Sequence, residues 1–159
     1  MRLTRPGPAM GRHYTMTMQS TGQAGKPAGG LETGSQQVAF LDGMAPEEQV
    51  QFLDEALSNA LAGDGDLEQL HAMWRAGDAA GLWDGLAADL RRDYPKRYAR
   101  INVARNDAWL PLLEARLAAP GQDDTLVVVG ALHLLGSDGL VAKLRARGYT
   151  LERVCNACD

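Results

Sequence analysis

Leu126-Val127-Val128-Val129-Gly130-Ala131-Leu132-His133-Leu134-Leu135-Gly136-Ser137-Asp138-Gly139 joins a run of aliphatic, largely β-branched residues to a histidine and a glycine-rich turn. Such a run reads as a buried strand. Gly130 breaks it, His133 falls just beyond its end, and Gly136 turns the chain toward a helix capped by Ser137 or Asp138. Working outward, that helix ends near Arg147, Gly148 serves as its C-terminal glycine, and residues 149–154 read as a second strand. Strand, helix and strand within about 30 residues predict a βαβ unit with a parallel pair. A titratable residue at the carboxyl end of such a strand stands where open α/β sheets hold ligands, so His133 is the first candidate site residue.

Upstream, the pattern is helical. After a weak strand at 26–32, confined by Pro27 to an edge or a strand start, a short helix is expected at about 35–41. Pro46, followed by Glu47 and Glu48, announces a stronger helix to about Leu61, with Val50, Leu53, Leu57 and Leu61 as one buried stripe. Asp66 can cap a third helix in which Leu67, Leu70 and Trp74 share a face, stopped at Gly77-Asp78. A fourth, about 79–91, places Leu82, Leu86 and Leu90 inward, and Pro95 interrupts it. The fifth, about 96–118, offers Ile101, Ala108, Trp109, Leu112, Leu113 and Leu117 to the core, with Pro111 expected to kink or split it. The reading is therefore an α/β fold, predominantly helical, in which a small, partly parallel sheet packs with a block of about five helices. Residues 1–24 form a poorly ordered lead-in and 25–159 a single domain.

The totals narrow the function classes. A net charge of -4 and a pI near 5.3 argue against a nucleic-acid-binding protein. The one basic cluster, Arg91, Arg92, Lys96, Arg97, Arg100 and Arg105, reads as a solvated helix face. No run reaches the ~18 apolar residues of a membrane span, and no apolar signal core follows Arg2 and Arg5, so the chain as it stands reads as cytoplasmic. Cys155 and Cys158 lie at the very end of the sequence, with only Asp159 after them, and read as an inert pair rather than a redox or zinc site.

Three places carry candidate chemistry. The His133 imidazole can bind a divalent metal or move protons near neutral pH, and Gly130 beside it would let a ligand approach. Glu32 can ligate a metal or polarise water as a general base. Arg105 and Asn106 supply a fixed cation and an amide to pair with Glu32 or hold a substrate oxyanion. Each has a bland alternative: a hydrogen-bonded structural histidine, a solvated turn carboxylate, a structural ion pair. His13 and His71 are poorer candidates, the first in the lead-in and the second explained by partial burial. Trp74, Trp83 and Trp109 read as core.

The order Gly25-Lys26-Pro27, Leu31-Glu32-Thr33, Trp74-Arg75-Ala76-Gly77-Asp78, Arg105-Asn106-Asp107-Ala108-Trp109, Val129 to Gly136 and Gly148-Tyr149 resembles the carboxyl-terminal portion of the TraB/GumN family, relatives of the Tiki metalloproteases. The resemblance spans residues 25–154. It implies a site of two Gly-x-x-His motifs, a glutamate and an Arg-Asn pair, in a lineage of divalent-metal-dependent hydrolases or peptidases acting on a peptide or small molecule. Gly130 and His133 match the second motif, Glu32 the glutamate, and Arg105 and Asn106 the pair. The first motif is not found: Gly11-Arg12-His13 is one residue too short, and no apolar strand precedes it.

An incomplete domain is therefore expected, with His133 and Glu32 as metal ligands for manganese, cobalt or zinc. Glu32, Arg105 and Asn106 are its catalytic candidates, and Glu32, Arg105 and His133 are expected to converge. A missing strand would leave a sheet edge open to homo-oligomerisation. A missing upstream signal would make the protein periplasmic or exported. The alternative is a non-catalytic binding or scaffold module.

Overall fold

The computed structural model describes residues 23–62, 65–119 and 124–154, which divide between a first unit, Met1–Thr33, and a second, Gly34–Asp159. In the first unit residues 26–33 have no regular structure; Leu31 and Glu32 are half-buried and residues 23–30 exposed. The expected strand at 26–32 is absent there.

The second unit is helical, and among the described residues there is no strand at all, which overturns the expected α/β fold with its sheet. Residues 124–130 and 149–154 are not in regular structure, and Leu126, Val127, Val128 and Val154 are 78%, 41%, 53% and 82% exposed. The cause is pairing. β-Branched residues favour a pleated, half-buried surface but do not create one, and a lone pair of strands is marginal without a third strand or a helix to cover it. Among the described residues there is therefore no sheet edge through which copies of the chain could pair.

Helix boundaries follow local chemistry. α1 spans Gly34–Asp42 and α2 Pro46–Ala62, with Pro46 at its first position and the Glu48 carboxylate accepting the Ala45 N–H at 3.1 Å, half of a capping box. The apolar stripe of α2 is not buried: Val50, Leu53 and Leu57 are 67%, 60% and 55% exposed, and the Leu61 side chain lies outside the described residues. The opposite side faces the unit instead, where Glu55 binds Arg97 at 2.5 Å and the Arg97 guanidinium lies over Phe52. α3, Gly65–Ala76, ends in a Schellman turn at Gly77 (φ 68°), with Asp78 N–H bonded to Met73 O and Gly77 N–H to Trp74 O. Leu67 and Trp74, expected inside, are exposed, as is His71; Leu70 is half-buried.

Asp78 then caps α4 (79–93), its carboxylate accepting the Gly81 N–H at 2.9 Å. α4 passes through a π turn at Asp84–Ala88. The wider turn takes up about one residue more than an α turn, so the inward position moves from Leu86 to Ala87, which is fully buried. α5 (95–117) restarts at Pro95, has its own π turn at Ala99–Val103, and continues through Pro111 without splitting. Its buried stripe is Tyr98, Asn102, Asn106, Trp109, Leu110 and Leu113; the expected core residues Ala108, Leu112 and Leu117 are exposed and Ile101 half-buried.

A single 3-10 turn, Ala131–His133, precedes α6, Leu140–Ala146. The N-terminus of α6 has Gly139 as its cap and no side-chain cap, contrary to the expectation for Ser137 or Asp138. Its end is a second Schellman turn, with Tyr149 N–H on Leu144 O and Gly148 (φ 91°) N–H on Arg145 O. Leu140 and Leu144 are buried, and Lys143 and Arg147 tie α6 to Asp107 (2.6 Å) and Glu114 (3.5 Å) on α5. Burying a leucine of this kind stabilises the fold by about 2 kcal/mol. No helix among the described residues is long and apolar enough to cross a membrane.

Candidate functional site

His133 is 8% exposed, at the end of the 3-10 turn, where its backbone N–H bonds the Gly130 carbonyl at 3.0 Å. Its Nδ1 lies 2.8 Å from Asn106 Oδ1, and Asn106 Nδ2 donates to the Asp138 carbonyl oxygen at 2.8 Å. A carbonyl oxygen only accepts, so the NH₂ end of Asn106 must face Asp138 and its oxygen must face the histidine. The network therefore assigns the proton of the neutral imidazole to Nδ1, and Nε2 carries the lone pair. Asn106 is fully buried, which leaves this amide little freedom to turn over.

Aromatic and cationic groups complete the surroundings. The Trp109 ring lies 4.5 Å from the imidazole at 53°, and the Arg105 guanidinium stands 4.8 Å over the other ring of that pair, Trp109, and 5.8 Å from Phe40 of α1. Arg105 also donates to the Ile101 carbonyl at 3.3 Å. Spacing on α5 explains the arrangement: Arg105, Asn106 and Trp109 lie within about one helical turn, so their side chains project to neighbouring positions.

Two α5 residues upstream extend the polar stripe. Asn102 Nδ2 donates to the Tyr98 hydroxyl at 3.1 Å, and that hydroxyl donates to Asp138 Oδ2 at 3.3 Å. Arg91 of α4 reaches the same carboxylate oxygen at 3.5 Å and Ser137 Oγ at 3.3 Å. Burial pushes the Tyr98 hydroxyl above its ordinary value; Asn102 opposes the rise and the Asp138 charge adds to it. Asn102 Oδ1 is buried without a hydrogen-bond partner among the described residues.

Of the candidates named from sequence, Asn106 and His133 are in direct contact, and Arg105 is one aromatic ring away from the imidazole. Glu32 belongs to the first unit and is half-buried there. Gly130 has φ -61°, which any residue adopts, and a Cβ there would rest 3.8 Å from His133 Cδ2, so the backbone itself does not demand a glycine. His13, Cys155 and Cys158 lie outside the described residues. Sequence reasoning missed Tyr98, Asn102 and Asp138; the four-residue spacing of Tyr98, Asn102 and Asn106 was the available signal.

The basic cluster does not form one face. Arg97 is buried between the Tyr94 (4.2 Å) and Phe52 (5.6 Å) rings, Arg92 pairs with Asp89 and Asp93, and Arg91 is tied to Asp138. The bond from Arg92 holds the Asp93 carboxyl below its ordinary range. An open cleft of ≈ 270 Å³ beside Arg97, lined also by Glu48, Gln51, Tyr94 and Lys96, contains none of the site candidates. Among the described residues no three histidine, cysteine or carboxylate side chains group as metal ligands.

A family model described as the TraB/PrgY/gumN family matches residues 14–153. No curated protein and no solved structure gives a significant match.

Proposed function

Because the chain belongs to the TraB/PrgY/gumN family, we propose that it is a domain of a divalent-metal-dependent hydrolase or peptidase lineage in which His133 presents Nε2 to the metal. One observation carries the reading: Asn106 Oδ1 lies 2.8 Å from His133 Nδ1, the contact by which the outer neighbour of a metal-binding histidine normally orients the ring. Arg105 supplies a cation close to that ring, to orient a substrate or the glutamate. Glu32 enters on the family motif alone, as second ligand or general base.

The donor set is thin. One imidazole and one motif carboxylate fall below the three protein ligands of a usual catalytic site, and no trio groups among the described residues. A bound metal would supply Lewis acidity and an acidified water. His133 is the residue of the second unit that would hold it, Glu32 being carried by the family motif alone, and the thin set leads us to expect weak affinity.

The test is titration of metal-stripped protein with manganese, cobalt or zinc, read as thermal stabilisation. The reading expects a saturable rise in Tm that His133→Ala abolishes and Glu32→Gln reduces. A Tm unmoved by all three ions overturns it and favours the second reading, a non-catalytic binding or scaffold module. The observation behind that alternative is the outward apolar stripe of α2, Val50, Leu53 and Leu57, a feature typical of association surfaces.

A further inference from the structure

We propose that Asp138 is the positioning residue of His133, acting through Asn106 and anchored by Tyr98 and Arg91. The proposal deepens the reading above and rests on it for its functional meaning.

Asp138 uses its two ends differently. Its backbone carbonyl takes the Asn106 amide at 2.8 Å, which turns the Asn106 oxygen toward His133 Nδ1. Its carboxylate takes the Tyr98 hydroxyl at 3.3 Å and the Arg91 guanidinium at 3.5 Å. Tyr98 already accepts from Asn102, so its single proton is directed to the carboxylate. The side-chain bonds thus fix the place of the carbonyl, and the carbonyl fixes the amide that fixes the imidazole.

The backbone of α5 is shaped for this. On a regular helix, residues eight apart diverge by about 80° around the axis. The π turn at Ala99–Val103 winds less per residue and draws that drift back, so Tyr98, Asn102 and Asn106 stay on one inner face. Across from them Gly136, at φ 70° and packed on Trp83, bends the chain between His133 and Asp138. The two segments that meet at this network are thereby registered: α5 by its π turn and the 133–138 loop by its glycine.

The test reads the His133 tautomer in metal-free, ¹⁵N-labelled full chain by imidazole nitrogen shifts, in alkaline buffer. Wild type is expected as the Nδ1–H form. Asp138→Ala keeps the backbone carbonyl but frees it from Tyr98 and Arg91, and is expected to move the ratio of tautomers about threefold toward Nε2–H, part of what one lost hydrogen bond is worth. Asp138→Asn, whose amide oxygen still accepts from Tyr98, is expected to restore most of the wild-type ratio. A wild-type ratio in Asp138→Ala, or no rescue by Asp138→Asn, overturns the proposal. If Asp138→Ala fails to fold, Tyr98→Phe carries the test, and an unchanged ratio there overturns it equally. The readout involves no metal, so failure of the metal titration and failure of this experiment are separate results.

Discussion

Replacing Asn106 by alanine removes the one side chain that satisfies both the His133 ring and the Asp138 carbonyl. Asn106 is fully buried, so water cannot take its place without opening the unit. Two groups would be stranded: the Nδ1–H donor and the Asp138 acceptor. Each unsatisfied buried group costs about 1–3 kcal/mol, offset in part because the amide itself no longer needs desolvation. A net loss of about 2–4 kcal/mol is expected. With a urea dependence of about 2 kcal/mol per molar, the unfolding midpoint falls by about 1–2 M. The loss belongs to a pair, which a double-mutant cycle with His133→Ala can show. A coupling energy of about 1–2 kcal/mol is expected, since His133 no longer has a donor to strand once its ring is gone. Asn106→Asp is a sharper control: it keeps an oxygen toward His133 but aims another at the Asp138 carbonyl. It is expected to be no better than alanine. A midpoint for Asn106→Ala within about 0.3 M of wild type, or a coupling energy near zero, would refute the hydrogen-bond assignment on which the tautomer rests.

Other perturbations test the packing around that network. Gly136→Ala places a Cβ 2.3 Å from Trp83 Cζ3 on a backbone at φ 70°, so overpacking and backbone strain together are expected to cost about 2–4 kcal/mol in thermal or urea unfolding; a loss under about 1 kcal/mol would show that the loop gives way freely. Tyr98 is predicted to ionise later than an unperturbed tyrosine, because burial raises its hydroxyl. The stability this contributes is full below the unfolded tyrosine value near 10 and is lost as pH rises through the higher folded value. Urea midpoints between pH 8 and 11 should therefore fall more in wild type than in Tyr98→Phe, and parallel curves would contradict the shift. Leu140→Ala, at a position 2% exposed, is expected to cost about 2–5 kcal/mol, whereas Leu53→Ser on the outward face of α2 should change stability by no more than about 0.5 kcal/mol. Equal losses would mean that α2 buries its apolar side in solution.

What could be read without coordinates was local. Pro46 starts a helix, Pro95 interrupts one, and Gly77 and Gly148 end theirs, because each acts on its own turn. The strand expected at Leu126 to Val129 is not formed: its β-branched residues state a preference, and the preference is realised only where a second strand completes the ladder. Periodicity failed for related reasons. The π turn of α4 shifted the buried position by one residue, and α2 turned its apolar stripe away from the unit it joins. At the site, the motif residues Asn106 and His133 meet as a pair, while Asp138 was hidden by a plausible reading as a helix cap.

The buried face of α5 bears on the choice between a chemical site and a scaffold. Among its buried residues, Tyr98, Asn102 and Asn106 put polar atoms where a helix serving packing alone would place leucine. Their bonds recover part of the desolvation, but Asn102 Oδ1 has no partner among the described residues, a cost of about 1–3 kcal/mol. A buried polar network incompletely satisfied is less stable than an apolar one of the same shape. The bonded part of the network is not dispersed: through Asp138 and Asn106 it leads to the one buried imidazole of the second unit. A stripe that gives up packing stability while holding one histidine ring is what the proposed role of His133 would require, and the metal titration decides whether that role is the reason for it.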